Sequence, residues 1–219
     1  AGSAVRRSRL AGASEEAFGG MLGFRMSLAS RSAPAAGAAA CKAASTLPVH
    51  NLKDYLRGSW SIKRVLDENG RVSSFEGSAD FREAPSAYGL NGSGSKVPAT
   101  DDTSVLHYEE RGQLTLDGKA FPATRRYDYI FGNESRDDSN SAEQVARVLF
   151  DDGRYFHDLD LTSGECQVEH LCVKDLYTAT FRTRSESSWE VEWRVRGPNK
   201  NQRIFTEYSR PQPHTAGST

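Results

Sequence analysis

Apolar and polar residues alternate in short runs along most of the chain between Gly58 and Tyr208, and turn residues separate these runs. Alternation with a period of two is typical of β-strands that bury one face. The clearest run places four apolar residues between charged ones, at Trp189, Val191, Trp193 and Val195. A chain with this pattern is predicted to fold as a sheet of many short strands.

One short helix is predicted before the strands, over Val49 to Leu56, because Leu52, Tyr55 and Leu56 share one face at helical spacing. About ten strands follow, joined as hairpins. Their predicted ranges are 58–64, 73–81, 105–110, 113–116, 125–131, 145–150, 154–161, 168–173, 176–184, 189–196 and 203–209.

Glycine, aspartate, asparagine and proline mark the turns between these runs. The predicted turns lie at 111–112, 151–153, 163–164 and 197–200, and two longer polar loops span 85–102 and 133–143. No connection supplies the crossover helix that parallel strands need. The predicted fold is therefore all-β, an antiparallel up-and-down barrel, because a single sheet protects its edges best by closing on itself. A barrel of this size encloses a pocket.

Charge and composition narrow the classes of function. The chain has 219 residues and a formal net charge of −1, whereas a general nucleic-acid-binding protein would carry a basic excess. No apolar run approaches the roughly 20 residues that a membrane-spanning helix needs. The cysteines, Cys41, Cys166 and Cys172, form no disulfide framework and are expected to be reduced thiols. No cofactor motif is present, and no cofactor is expected.

Residues 1–47 differ in composition from the rest of the chain. They contain six basic and two acidic residues among many alanines and serines. This composition predicts an organelle transit peptide, with a plastid favoured over a mitochondrion, and a plain disordered tail is the alternative. The predicted organisation is thus a leader over 1–47, a barrel domain over 48–210 and a disordered tail over 211–219.

A short helix followed by Gly58-Ser59-Trp60 on the first strand, and a meander that ends near an arginine, resembles the lipocalin and calycin barrels. The resemblance implies that Trp60 lies across the closed end of the barrel and packs against a late basic residue. Arg203 and Arg210 are the two candidates for that residue.

Three later segments resemble an uncharacterised lipocalin-like family of unknown function. They are Arg154-Tyr155-Phe156-His157, the run from His170 through Cys172 and Asp175 to Tyr177, and the run from Trp193 through Gly197-Pro198 to Lys200. The resemblance covers roughly residues 52 to 210. It implies a fold and no particular activity.

Histidine and cysteine residues suggest two kinds of chemistry. Period-two geometry places Tyr155 and His157 on one strand face and Phe156 on the other, and His170 and Cys172 share a face of the next strand. His157, His170 and Cys172 would form a ligand set for a transition metal, or Cys172 would act as a nucleophile with a histidine base. The favoured interpretation is that they are hydrogen-bonded core residues, and no metal site is predicted.

Paired acids on the same segment are a weaker signal. Asp158 and Asp160 share one face, as the two carboxylates of a hydrolase do. Alternating acids on a strand are more often a solvated face, and this is the interpretation that we favour.

Arginines and aromatic residues on or beside the strands indicate an anion-binding pocket. Guanidinium groups in a barrel mouth hold a carboxylate or phosphate while aromatic rings cover an apolar body. The residues predicted to fix the head group are Arg154, His157, His170, Asp175, Tyr177 and Arg210. Those predicted to line or close the apolar part are Trp60, Trp193 and Tyr208. The alternative is that the arginines pair with acidic residues in structural networks.

The predicted function is therefore binding of a small amphipathic anion, such as a fatty acid or an acidic tetrapyrrole, inside the barrel. Two other classes stay open. One is a non-catalytic subunit or assembly factor of an organelle complex, which predicts an exposed apolar patch on the outer face. The other is a barrel enzyme of isomerase or lyase type, which predicts a histidine with a shifted pKa beside the cavity.

Overall fold

The computed structural model describes residues 45–84, 103–132 and 144–210, together with the backbone of 89–90 and 96–97. These residues form one helix and twelve strands. The elements are α1 (Leu52–Leu56), β1 (Gly58–Glu68), β2 (Arg71–Glu83), β3 (Gly89–Leu90), β4 (Lys96–Val97), β5 (Ser104–Leu116), β6 (Lys119–Phe131), β7 (Val145–Phe150), β8 (Tyr155–Asp160), β9 (Glu165–Cys172), β10 (Asp175–Ser185), β11 (Ser188–Gly197) and β12 (Lys200–Ser209).

Ten of the strands form one antiparallel sheet, in the order β8-β7-β6-β5-β2-β1-β12-β11-β10-β9. Strand β1 pairs with both β2 and β12, so that the first and last strands of the chain lie side by side. The two edge strands, β8 and β9, contact each other, and the sheet nearly closes into a barrel. The predicted antiparallel up-and-down barrel is confirmed. Strands β3 and β4 form a separate two-stranded sheet.

The two ends of the barrel differ in what covers them. Strands β1, β5, β7, β9 and β11 run in the same direction, and each leads through a short turn into its antiparallel neighbour at one end, here called the turn end. The helix α1 precedes β1 and therefore lies at the opposite end, here called the helix end, together with the β8–β9 and β10–β11 turns. A ligand entering away from the helix would pass through the turn end.

The helix α1 covers the helix end with its apolar face. The Asn51 side chain accepts a hydrogen bond from the Asp54 amide at 2.9 Å and so caps the helix. This cap makes α1 begin three residues later than the sequence predicted. Leu52 and Leu56 are fully buried, and the Trp60 indole donates to the Leu56 carbonyl at 2.7 Å.

Arg210 closes the same end from the far end of the chain. Its guanidinium carbon lies 3.8 Å from the centroid of a Trp60 ring, and its Nη2 donates to the Tyr55 carbonyl at 2.7 Å. A cation over an indole face is attracted by the ring quadrupole. The basic residue that the lipocalin resemblance implied is therefore Arg210. Arg203 instead lies exposed on the outer face and binds Glu192.

The predicted turn at Arg111-Gly112 is wrong, because β5 continues through it to Leu116. Gly112 lies opposite Gly77 on β2. A Cβ atom at Gly112 would lie 2.7 Å from the Gly77 Cα and would also overlap the Glu76 carbonyl oxygen. The glycine thus permits a close approach of two strands. The turn comes later, at Asp117-Gly118, where both residues have positive φ angles of 49° and 73°.

The predicted division of faces on β8 is also wrong. Val148 pairs with His157 and Leu149 with Tyr155, which leaves Phe156 as the extra residue of a β-bulge. Because the bulge interrupts the alternation, Phe156 and His157 are both buried, whereas Tyr155 is 49% exposed. A strict period of two cannot predict this arrangement.

Several sequence predictions lie outside the described residues. They are most of the leader over 1–47, the tail over 211–219, the loop over 133–143 and most of the loop over 85–102. Within the described part of the chain, no helix has the length and apolar content that crossing a membrane requires.

We expect Gly112→Ala to lower the free energy of unfolding by about 3 kcal/mol, because the new methyl group must push β2 and β5 apart. Urea denaturation of the purified protein measures this difference. Ser78→Ala, an exposed substitution on the neighbouring strand, is the control and should change the value by less than about 0.5 kcal/mol. Equal stability of the two variants would contradict the proposed close approach.

Candidate functional site

A buried ion pair lies inside the barrel, between β1 and β5. Arg64 donates through Nη1 and Nη2 to the two carboxylate oxygens of Glu110, each at 2.7 Å. The exposed fractions of the two side chains are 5% and 1%. Arg64 also donates through Nε to the Thr206 hydroxyl on β12 at 2.8 Å. The pair therefore joins three strands across the interior.

Tyrosine hydroxyls and a second arginine extend this pair. Tyr108 donates to a Glu110 oxygen at 2.6 Å, and its hydroxyl lies 3.1 Å from that of Tyr208. The Nε atom of Arg125 lies 3.6 Å from Glu110, and the Arg125 side chain is 20% exposed. We call the set the core network, and its members are Arg64, Tyr108, Glu110, Arg125, Thr206 and Tyr208.

Electrostatics hold the core network in one charge state. Burial alone would raise the pKa of Glu110, but the charges of Arg64 and Arg125 and the hydrogen bonds from Arg64 and Tyr108 lower it to about 2. Burial raises the pKa of Tyr108 and of Tyr208 above the usual range. Near neutral pH, Glu110 is thus ionised and the two tyrosines keep their protons.

A chain of aromatic rings leads from the core network to the turn end. Tyr127 lies 6.0 Å from the Arg125 guanidinium and stacks on Phe156 at a centroid distance of 5.7 Å. Phe156 stacks on Trp193 at 5.2 Å, with an angle of 6° between the rings. Since Phe156 is on β8 and Trp193 is on β11, this stack bridges the barrel beside the seam between β8 and β9. The β8 bulge makes the contact possible.

Arg154 and His170 lie around the outer end of this chain of rings. The Arg154 guanidinium lies 5.6 Å from the Phe150 ring and binds Asp152 through Nε at 2.8 Å. The His170 ring lies 5.2 Å from Phe156 and 6.4 Å from Tyr177. Burial, followed by the charge of Arg154, lowers the pKa of His170. His170 is therefore predominantly neutral near pH 7.

Asp175, Tyr177 and Lys200 complete the site. The Lys200 Nζ lies 2.7 Å from an Asp175 carboxylate oxygen. Burial alone would lower the pKa of Lys200, but Asp175 and Tyr177 raise it. A Cβ atom at Gly197 would overlap the Asp175 carboxylate, so this glycine leaves the space in which the ion pair forms. Gly197 and Lys200 therefore both contribute to this ion pair: the glycine leaves room for Asp175, and the lysine binds it.

The three segments that carry the family resemblance therefore meet at one place. We call their polar and aromatic residues at the turn end the rim cluster, and its members are Arg154, His170, Asp175, Tyr177, Trp193 and Lys200. Five of these were predicted from the sequence as ligand-binding residues. The contacts of Phe156 and Phe150 link the β8 part of the cluster to the β9 to β11 part.

Four other predicted site residues lie elsewhere. His157 is buried beside Phe156, Phe181 and Trp193. Tyr208 belongs to the core network, and Trp60 and Arg210 lie together at the helix end. Glu110 was not among the residues predicted from the sequence. Glu110 shares a face of β5 with Leu106 and Tyr108, and this period of two could have indicated that its side chain lies inside the barrel.

Buried His157 is held as a neutral ring. Burial lowers its pKa to about 4, and its Nδ1 atom lies 3.0 Å from the Asp158 carbonyl oxygen. Because the carbonyl accepts, Nδ1 carries the proton. Among the described residues, no group of three or more His, Cys, Asp or Glu side chains is placed to hold a metal ion. Cys166 and Cys172 are free thiols.

The fold, the Trp60–Arg210 closure and the internal polar residues define a calycin-like β-barrel. Within that class, the chain belongs to a family of unknown function, DUF6314, whose sequence profile matches residues 56–210. The resemblance inferred from the sequence is thereby confirmed. No curated protein matches the chain by sequence.

Similar barrels occur among solved structures. An S-type phycobiliprotein lyase, CPES, from Guillardia theta matches with a TM-score of 0.56 at 7% identity, over 76% of this chain and 94% of that chain. A de novo designed fluorescence-activating β-barrel matches with a TM-score of 0.33 at 13% identity, over 74% and 98% of the two chains. A redesigned β-barrel has a TM-score of 0.33 at 10% identity, over 76% and 100%. The likeness to the lyase supports the fold.

The buried ion pair predicts a specific acid sensitivity. Glu110 has a lower pKa when folded, about 2, than its ordinary value of 4.5. Its contribution to stability is therefore fully present above pH 4.5 and is lost as the pH falls through 2. A shift of this size corresponds to about 3 kcal/mol.

We expect a double variant, Glu110→Leu with Arg64→Met, to be less sensitive to acid than the natural protein. Between pH 5 and about pH 2.5 its free energy of unfolding should fall less, because the variant has no buried carboxylate to protonate. Urea denaturation at each pH measures the difference. Glu110→Gln alone should lose about 3 kcal/mol or more at neutral pH, because it leaves Arg64 buried without its carboxylate. If the free energy of unfolding fell equally with pH in the natural protein and in the double variant, Glu110 would not be the source of the acid sensitivity.

Proposed function

We propose that the barrel binds a small amphipathic anionic ligand at its turn end, with the rim cluster holding the acidic head group and the aromatic chain covering the apolar body. The observation that carries this proposal is the convergence of three sequence segments on one rim. Arg154 lies over Phe150, and His170 lies beside Phe156, which stacks on Trp193. Lys200 joins this group through Asp175 and through Tyr177, which lies beside His170. Polar groups placed beside an apolar surface are typical of sites for such ligands.

Cations at two depths support an anionic ligand. Arg154 is 59% exposed at the rim, and Arg125 reaches from the core network towards Tyr127. A guanidinium group has five N–H donors in a planar fork, so Arg154 can bind Asp152 and a ligand carboxylate at the same time.

The phycobiliprotein lyase fold supports binding inside a barrel in general terms. The likeness at 7% identity concerns the fold alone. An acidic tetrapyrrole fits the proposed combination of carboxylate groups and a flat apolar body, and a fatty acid fits it less closely because the rings at Phe156 and Trp193 offer planar surfaces.

Native mass spectrometry of the protein isolated from its own source tests the proposal. We expect an extra mass that disappears on denaturation. Arg154→Ala and His170→Ala should each lower ligand occupancy or affinity about tenfold, since each removes a charge or a donor at the rim. Arg126→Ala is the matched control, because Arg126 is an exposed arginine that binds Glu109 on the outer face. Full occupancy in folded Arg154→Ala and His170→Ala variants would show that the rim is not the site.

A second candidate function is that of a subunit or assembly factor. Exposed apolar residues at the turn end favour it, because Leu171 is 69% exposed and Val173 is 90% exposed. Exposed apolar surface at an edge strand is suited to contact with another chain. A bare chain mass in native spectra, together with a co-purifying protein that a Leu171→Ser variant loses, would favour this function over ligand binding.

The leader supports a location for either function. We propose that residues 1–47 direct the protein to an organelle, with a plastid favoured, on the basis of their basic, serine- and alanine-rich composition. A fluorescent protein fused behind residues 1–47 is expected to enter the organelle. The same fusion with its six basic residues changed to glutamine should stay outside, and import of both fusions would contradict the proposal.

A further inference from the structure

A depression on the outer surface lies at the turn end, between the β1–β2 turn and the ends of β11 and β12. Its volume is about 470 Å³, and it is open to solvent on one side. Three arginines line it: Arg194, Arg196 and Arg203. Side chains alternate along β11, so Arg194 and Arg196 face outward while Trp193 faces the ring of Phe156 inside. The depression is thus separate from the rim cluster.

Two of the arginines lie side by side and repel each other, and a carboxylate that binds both reduces this repulsion. Arg194 and Arg203 lie directly opposite each other on β11 and β12, and like charges in this position destabilise a sheet. Glu192 accepts from Arg194 Nε at 2.9 Å, from Arg203 Nε at 3.0 Å and from Arg203 Nη2 at 3.2 Å. One carboxylate therefore holds two guanidinium groups at the edge of the depression, with further N–H donors available from each.

The third arginine adds a charge that Glu192 does not reach. Arg196 is exposed, and no ion pair joins it to another of the described residues. It lies opposite Asn201, whose side-chain amide donates to the Asn69 side chain at 3.3 Å. Asp67 lines the other side of the depression, where it accepts from the Gly70 amide at 2.7 Å. The depression therefore has a cationic side and a neutral-to-acidic side.

We propose that this depression binds a phosphorylated sugar or polyol. A phosphoryl group has three terminal oxygens in a tetrahedral arrangement, so it can accept from Arg194, Arg196 and Arg203 together, whereas a planar carboxylate offers two oxygens. The depression is much larger than a phosphoryl group. Asn69, Asn201 and Asp67 supply amide and carboxylate groups that hydrogen-bond hydroxyl groups.

The site does not depend on the ligand proposed for the rim cluster. The two sites lie on opposite faces of β11, and no residue belongs to both. A substitution such as Arg196→Gln is expected to leave ligand occupancy at the rim cluster unchanged. Loss of one site in an experiment therefore leaves the other assignment standing.

Titration of the ¹⁵N-labelled protein with glucose 6-phosphate, followed by nuclear magnetic resonance, tests the proposal. We expect saturable shifts at the backbone amides of Asn69, Gly70 and Arg196. Inorganic phosphate should bind the same amides more weakly, and glucose should not shift them at the same concentrations. The absence of saturable shifts would overturn the proposal. Equal affinity for inorganic phosphate and glucose 6-phosphate would also overturn it, because the hydroxylated part would then contribute nothing.

Variants separate a defined site from general attraction to positive charge. Arg196→Gln and Arg194→Gln should each weaken glucose 6-phosphate binding about tenfold. Asn201→Asp adds a negative charge beside Arg196 with little change in size. It should weaken binding while Arg194 and Arg203 keep their hydrogen bonds to Glu192. Arg126→Gln, on the outer face of β6, is the control and should leave the affinity unchanged. Equal weakening by Arg126→Gln and Arg196→Gln would overturn the assignment.

Discussion

The pairing of the first strand with the last is the contact on which this barrel depends. Strand β1 is bonded to β2 on one side and to β12 on the other, and without the β12 contact the sheet would have two further open edges. The same strand carries Trp60, which the helix α1 and Arg210 cover at one end. It also carries Arg64, which binds Glu110 and Thr206 inside. Closure, end-capping and internal charge are therefore linked through one strand.

Charge inside the barrel follows from this closure. A closed sheet removes its inward side chains from water, and a buried charge is tolerated only with a partner. Arg64 and Glu110 meet in bidentate geometry and fulfil this condition for each other, while Arg125 approaches the same carboxylate at 3.6 Å. Replacement of the pair by apolar residues would be compatible with a stable barrel. In this barrel the pair also joins β1 to β5 and, through Thr206, to β12.

Alternation along the chain was sufficient to predict a barrel of about ten strands, its antiparallel meander and most of the strand ranges, although the predicted strands 105–110 and 113–116 are one strand, β5. It failed where the backbone departs from a regular strand. Gly112 was predicted to be a turn residue, but glycine also occurs where two strands approach closely. Gly77, opposite on β2, shows that the second reason applies here. Phe156 was placed on the wrong face because a bulge shifts the alternation by one residue. Both features depend on the neighbouring strand, which local sequence does not specify. The candidate site was predictable only in part. Arg154 directly follows the turn predicted at 151–153, whereas the role of Glu110 depends on Arg64, 46 residues earlier in the chain.

Strand β11 shows how one run of alternating residues can serve two surfaces. Trp193 faces the interior and stacks on Phe156, whereas Arg194 and Arg196 line the depression on the outer face. A β-strand at the turn end therefore presents an aromatic surface to the barrel interior and a cationic surface to the outside, and each can be altered by substitution without contact with the other.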